Sequence, residues 1–188
     1  IYFFIESVSR YNISIGEDLI NNNNIISGFS TSSNTSISWV EVPDEFIIKI
    51  NTGSDVTTTQ GIFGNDVSVA ISNGYLGYNS QSSDGIFKNT IQISTNQDIW
   101  IKFEKTSGSS SIYQGIAYYS FDKESWFAIN TNTDTLFSGV SIGVGYISGV
   151  YSSFLGVIDL NDSYYVINNI KYPLVYTRVS SLLNTCTY

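Results

Sequence analysis

The side chains that could do chemistry in this 188-residue chain are carboxylates, amides and aromatic rings, because the usual activators of nucleophiles are missing. There is no His, and the single Cys is Cys186. A chain without His has no Ser-His-Asp triad, no Cys-His dyad and no His-ligated zinc. One Cys rules out an intramolecular disulfide and a thiolate cluster. What is abundant is the equipment for binding hydroxyls: 14 Tyr, 11 Phe and 3 Trp in a chain with only 13% charged residues. Sugar recognition stacks flat rings on pyranose faces and uses neutral or acidic side chains for the hydroxyls. Gly143–Ser153 and Gly74–Gln81 read as Gly/Ser/Tyr-rich loops carrying Tyr146, Tyr151 and Tyr78. Trp126 sits beside a turn, and Asn65 and Asp66 follow Gly64 as the first polar residues to test. Tyr113, Tyr118, Tyr119 and Trp126 are expected to line one sheet face. These are the candidate ligand-binding residues; no catalytic residue and no cofactor are assigned. Asn65, Asp66, Asp84 and Asp122 have the oxygen chemistry that Ca²⁺ takes, but no EF-hand or dense Asp loop is present, so no metal site is assigned.

The elements that must position these groups are strands. Apolar residues recur with period two: Phe46, Ile48 and Ile50 against Ile47, Lys49 and Asn51; Val67, Val69 and Ile71 against Ser68, Ala70 and Ser72; Ile99, Ile101 and Phe103 against Trp100, Lys102 and Glu104. Val140, Ile142 and Val144, and then Phe154, Gly156, Ile158 and Leu160, repeat the pattern. A short helix is expected at most near Glu17–Asn21. Asn73-Gly74 between two such runs is a strong hairpin signal, and Asp84-Gly85, Thr52-Gly53-Ser54, Ser107-Gly108-Ser109 and Asn168-Asn169 mark further turns. Evenly spaced strands without helices imply an all-β antiparallel sandwich or barrel. Eight Lys+Arg against 16 Asp+Glu, a net charge of −8, argue against nucleic acid. No apolar run approaches the ~20 residues of a membrane span. The opening Ile1–Ile5 run has no basic segment before it and no cleavage pattern after it, so it reads as an internal cut in a longer chain or the edge of an expressed fragment, not as a signal peptide. The sequons at Asn12, Asn34 and Asn161 are those expected by chance in an Asn/Ser-rich chain.

Several fragments, in order, carry a family likeness: Ile26-Ser27-Gly28-Phe29-Ser30-Thr31-Ser32, Phe46–Ile50, Thr59-Gln60-Gly61-Ile62-Phe63-Gly64, Ile71–Gly74, Asp98–Glu104, Tyr119-Ser120-Phe121-Asp122, Ile142–Gly145 and Phe154–Leu160. Together they resemble the concanavalin A-like lectin/glucanase superfamily, also called laminin-G-like, as found in phage virion proteins and gut-bacterial surface proteins. The resemblance implies a jelly roll of two antiparallel sheets, one concave, whose concave face or rim loops bind carbohydrate in many relatives and are only structural in others. The fragments also have physical readings: Phe154–Leu160 as a central strand with Gly156 allowing close approach of the opposite sheet, Gly61 and Gly64 flanking Ile62-Phe63 where the chain leaves one sheet, and Ser120-x-Asp122 starting a hairpin closed by Trp126.

Glucanases of this superfamily carry a Glu-x-Asp-x-x-Glu strand, which points carboxylates to one face as nucleophile and acid. Here Glu41-x-x-Asp44-Glu45 has the wrong spacing and contains Pro43, Asp159-x-x-Asp162 reads as a strand end without a third partner, and Glu104 stands alone. Ser120–Trp126 is similar to a sialidase Asp box, but it lacks the Gly and is one residue short. It occurs once, and Arg10 and Arg178 are too few to clamp a substrate carboxylate. The expected organisation is an opening strand and linker over 1–24, the jelly roll over 25–172 and a C-terminal strand or tail over 173–188. The expected role is a non-enzymatic, lectin-like receptor-binding or adhesion module at a virion or cell surface. Its partner is expected to be a glycan or host polysaccharide, and the chain a homo-oligomer or part of a larger surface protein. The alternatives are a purely structural virion domain making protein contacts and, further off, a divergent polysaccharide hydrolase.

Overall fold

Strands dominate because β-branched and aromatic residues alternate with polar ones over most of the chain. The computed structural model describes residues 11–14, 20–30, 36–39, 42–64, 67–80, 87–108, 112–130, 135–138, 141–145 and 152–174. Among these there is no helix, and the strands in chain order are β1 (Tyr11–Ser14), β2 (Ile20–Asn22), β3 (Ile25–Ser27), β4 (Ser36–Trp39), β5 (Glu45–Asn51), β6 (Gln60–Gly64), β7 (Val67–Ser72), β8 (Tyr75–Ser80), β9 (Phe87–Gln92), β10 (Asp98–Gly108), β11 (Ile112–Ser120), β12 (Phe127–Ala128), β13 (Thr135–Ser138), β14 (Ser141–Val144), β15 (Val157–Ile167) and β16 (Ile170–Pro173). They form two antiparallel sheets. A seven-stranded sheet runs β1-β4-β14-β6-β7-β8-β9. A nine-stranded sheet runs β12-β11-β10-β5-β15-β3-β2, with β13 also on β11 and β16 also on β15.

One core lies between the sheets. Phe46, Ile48 and Ile50 of β5, with Ile99, Ile101 and Phe103 of β10, meet Ile62, Phe63, Val69, Ile71 and Leu76 from the other sheet, all essentially buried. Phe46 stacks on Phe103 at 5.3 Å and meets Phe63 of the opposite sheet edge-on at 5.7 Å. The expected alternation on β5, β10 and the run through Leu160 is what places these residues inward.

The hairpins follow from Asn chemistry. A two-residue type I′ turn needs φ > 0 at both central residues, which Asn and Gly tolerate. Asn73-Gly74 (φ 51° and 81°) joins β7 to β8, as its sequence predicts. Asn168-Asn169 (φ 51° and 62°) joins β15 to β16 in the same way, and Asn23-Asn24 (φ 52° and 64°) joins β2 to β3. Residues before 25 therefore feed both sheets, since β1 pairs with β4 and β2 with β3. At the other end β16 spans Ile170–Pro173, and Leu174 is fully buried.

Three local expectations need correction. Gly61–Gly64 is not a departure from the sheet: it lies within β6, which carries a bulge between Gly61 and Phe63. Gly156 does not admit the opposite sheet; a Cβ there would strike the Asn51 carbonyl of neighbouring β5 and the Phe154 ring. The expected Gly74–Gln81 loop is a strand over Tyr75–Ser80, because the two-residue turn ends at Gly74 and β8 starts at Tyr75; Gln81 lies outside the described residues. Gly145, by contrast, does serve packing: at φ 74° it lies against the Phe29 ring, which a Cβ would overlap. The possible helix near Glu17–Asn21 falls mostly outside the described residues, and its last two positions are in β2.

Candidate functional site

The inward residues of the nine-stranded sheet leave their alternates on the outer face, where strand register lines them up in rungs. One rung is Asp159–Lys49–Trp100–Ser120 across β15, β5, β10 and β11. The next is Tyr164–Ile47–Lys102–Tyr118, and the third is Val166–Glu45–Glu104–Ile116. Ile47 is only 3% exposed although it faces outward. Its register neighbours Lys102 and Tyr164 explain this, since long side chains cover apolar neighbours with their stems and rings.

Between the first two rungs β15 bulges. Where β5 steps two residues from Lys49 to Ile47, β15 steps five, from Asp159 to Tyr164. The bulge is held by its own side chains. The Ser163 hydroxyl donates to the Asp159 carbonyl at 2.7 Å and accepts the Lys49 amide at 3.1 Å, replacing a ladder bond. The Asn161 amide group donates to the Asn23 carbonyl at 2.8 Å, and the Leu160 backbone amide donates to the Asn24 carbonyl at 2.9 Å, tying the bulge to the β2–β3 turn. Bulges of this kind re-aim side chains. This one brings Asp162 to Trp100, whose indole N–H donates to Asp162 Oδ2 at 3.0 Å. Asp162 Oδ1 is paired with Lys123 from the β11–β12 loop.

That loop is formed as the sequence predicts. Asp122 accepts the Ser120 hydroxyl at 2.9 Å and the Glu124 and Ser125 amides at 2.8 Å each. These bonds hold its carboxyl down at about 2. Antiparallel pairing then resumes at Tyr119 and Phe127.

Lysines sit over the rings of this face and are neutralised by carboxylates. Lys49 Nζ lies 5.5 Å from the Trp100 ring, 3.1 Å from Asp98 and 3.7 Å from Asp159. Lys123 Nζ is 5.1 Å from the same ring. Lys102 Nζ lies 4.8 Å from the Tyr118 ring and 5.0 Å from Trp126, with Glu104 at 3.5 Å and Glu45 at 3.9 Å. Hydrogen bonds from Asn51, and then from Lys49, hold the Asp98 carboxyl below its ordinary range, and the Asp98 hydrogen bond raises Lys49. Partial burial pushes Asp162 up, but the Lys123 and Trp100 hydrogen bonds outweigh it and the net shift is downward. Burial lifts Glu45, against the pull of Lys102. At these partly exposed positions each pair contributes at most about 1 kcal/mol; their main effect is to fix the rings.

Beside the bulge is a pocket of about 340 Å³ lined by Asn161, Asp162, Ser163, Tyr164, Lys171 and Pro173. Lys171 Nζ lies 3.5 Å from the centre of the Tyr164 ring. The Tyr164 hydroxyl hydrogen-bonds to Glu45, and burial, followed by the Glu45 charge, raises its pKa. The face thus combines ring surfaces, carboxylate acceptors and ammonium donors, a set suited to hydroxyl-rich ligands.

Of the residues singled out from the sequence, Trp126 lies on this face, half-buried, with Tyr118 beside Lys102. Tyr119, one residue on, points inward at 8% exposure, so the expected row of four aromatics on one face is broken by strand parity. The Tyr113 side chain lies outside the described residues. Tyr78 is in β8 of the other sheet, 7% exposed in the shared core, with Lys88 Nζ 5.4 Å from its ring. Tyr146, Tyr151, Asn65, Asp66 and Asp84 lie outside the described residues. Among the described residues no group of three or more Cys, Asp or Glu is placed to hold a metal ion.

Sequence reasoning missed Trp100, Asp162, Tyr164 and Lys171 as site residues. The outward parity of Trp100 was visible beside Ile99 and Ile101; the bulge that brings Asp162 to it was not.

No family model matches this chain, and no curated protein matches it. Among solved structures it is similar to a Shewanella oneidensis MR-1 protein of unknown function, with 14% identity over 88% of this chain and 82% of that one and a TM-score of 0.43. No described helix is long and apolar enough to cross a membrane.

Proposed function

We propose that this chain is a non-enzymatic, lectin-like module of the concanavalin A-like jelly-roll type, binding glycan at a virion or cell surface. The observation that carries this reading is the outer face of the nine-stranded sheet, where Trp100, Tyr118 and Trp126 are half-buried and fixed by Lys49, Lys102 and Lys123. Rings held in this way lose little freedom on binding, which lowers the cost of a weak contact. Several copies on one particle would raise weak single-site affinity to useful avidity. The ordered sequence fragments and the two-sheet core support the jelly-roll assignment. The non-enzymatic assignment is supported by the occupied carboxylates, since Glu45 and Glu104 share Lys102 on an ion-paired face. The test applies a multimerised form of the chain to immobilised glycans and host-cell polysaccharide. Binding that Trp126→Ala weakens is expected; silence of the multimer across all of them overturns the reading.

A second reading, a structural virion domain making protein contacts, is favoured by a different patch. Phe121 and Phe127, 42% and 54% exposed, both pack on Tyr119 beside short edge strand β12. Exposed apolar surface of this kind marks protein contacts. A Phe127→Ser variant that loses self-association while the wild-type multimer binds no glycan favours this alternative.

A further inference from the structure

We propose that the pocket beside the β15 bulge is the specificity subsite of this surface and takes a neutral hexose unit, whose adjacent hydroxyls bridge the Asp162 carboxylate and the Lys171 ammonium. This rests on the carbohydrate-binding reading above. The pocket is an open depression whose floor is held by the bulge. Ser163 closes the bulge against Asp159 and Lys49, and Asn161 anchors it to the β2–β3 turn. Its volume of about 340 Å³ is that of a small-ligand site.

The polar groups match a hydroxyl. Lys49, Lys102, Lys105 and Lys123 each have a carboxylate within ion-pair distance. Lys171 has no carboxylate within that distance among the described residues; it rests on the Tyr164 ring, and its charge also acts on Glu45. Asp162 gives one contact from each oxygen, to Trp100 and Lys123. A carboxylate accepts about four hydrogen bonds, so acceptor capacity remains on both oxygens. A sugar hydroxyl both donates and accepts, and therefore satisfies Asp162 and Lys171 together. A ligand carboxylate satisfies only Lys171 and meets Asp162, Glu45 and a chain of net charge −8. A ligand ammonium satisfies only Asp162 and meets Lys171. The neutral ring is the ligand that leaves neither group opposed.

The test measures binding of the full 188-residue chain to immobilised mannan, galactan and α-glucan as neutral probes, to polygalacturonate as the acidic probe and to chitosan as the amino probe. It is repeated with Lys171→Met, Asp162→Asn and Trp126→Ala, each checked by thermal melt. Expected are binding to a neutral probe, a loss of about tenfold or more in Lys171→Met, and little change between about 50 and 300 mM NaCl. Lys171→Met removes an exposed side chain that makes no ion pair, so it keeps the test decisive if Asp162→Asn fails to fold. Binding confined to polygalacturonate or chitosan overturns the neutral-hexose assignment. Neutral binding that falls in Trp126→Ala but survives Lys171→Met overturns the subsite and leaves the lectin reading standing. No binding of the multimerised chain to any of these probes overturns the subsite, and the lectin reading falls with it only if the multimer is also silent on the wider set of glycans and host-cell polysaccharide.

Discussion

The outward faces of the two sheets arise from the same alternation, yet they differ in character at their centres. On β7 the outward residues are Ser68, Ala70 and Ser72, which are 1%, 0% and 4% exposed. They are sealed by neighbours: Phe87 of β9 packs on Ala70, and the Ser72 hydroxyl meets that of Thr59 at 2.8 Å. On β10 the outward residues are Trp100, Lys102 and Glu104, which reach solvent and pair across four strands. Small side chains let neighbouring segments close over a strand. Large aromatics flanked by charge keep a strand's face open and give it chemistry. Period two says which residues share a face; side-chain size and charge decide whether that face is a seal or a surface.

The contrast can be broken from beneath. Phe46 touches both Phe63 and Phe103, so Phe46→Ala should cost about 3–5 kcal/mol in chemical denaturation and weaken both faces at once. A loss confined to one sheet's probes would mean that the two sheets do not share one core. The next largest effect separates the faces. Ala70→Leu overpacks the sealed side and should destabilise by about 1–3 kcal/mol, with glycan binding unchanged in the folded fraction. Trp126→Ala should do the reverse, weakening glycan binding about tenfold with a smaller change in the denaturation midpoint.

A smaller effect sharpens the open face alone. Asp162 titrates below its ordinary value in the folded chain, so its stabilisation is complete above the ordinary carboxylate pKa. That stabilisation is lost as pH falls through the depressed folded value. Fluorescence of a chain retaining Trp100 as its only Trp should change over that acid window, and Asp162→Asn should remove the change. The smallest effect is expected at the turn. Asp122, held at about 2, should keep the β11–β12 loop intact down to about that pH. Asp122→Ala should leave the core's melting almost unaltered while increasing amide exchange at Glu124 and Ser125, the two N–H groups it caps.

Much of this architecture was legible because it depends on local pattern. The inward sets of β5 and β10, the Asn73-Gly74 hairpin and the Asp122 turn all follow from residue type and spacing within a few positions. The candidate site was legible only in part. Trp126 and Tyr118 could be placed because they lie near a turn with a clear signature. Asp159-x-x-Asp162 read as a strand end because nothing local distinguishes an ending strand from a bulged one. What keeps β15 going is the partner backbone of β5 and the Asn23-Asn24 turn, both more than a hundred residues away in sequence. Tyr78 read as a loop residue because Gly and Ser surround it, although β7 and β9 pair on both sides and bury its ring.

The central position of β5 also sets a timetable. Its two neighbours in the sheet are β10 and β15, and Ile47 meets Tyr164 only after more than a hundred intervening residues have been made. Closing such a long loop must come before the contact rewards it, which slows folding of this kind of topology. During synthesis β5 and β10 can pair and collapse early, but the rung that carries Tyr164 and the Asp162 bulge must wait for β15. Trp100 therefore spends the nascent interval without its carboxylate partner, and the bulge contact that fixes its indole is made only after the rings of β10 and β11 are already in the chain.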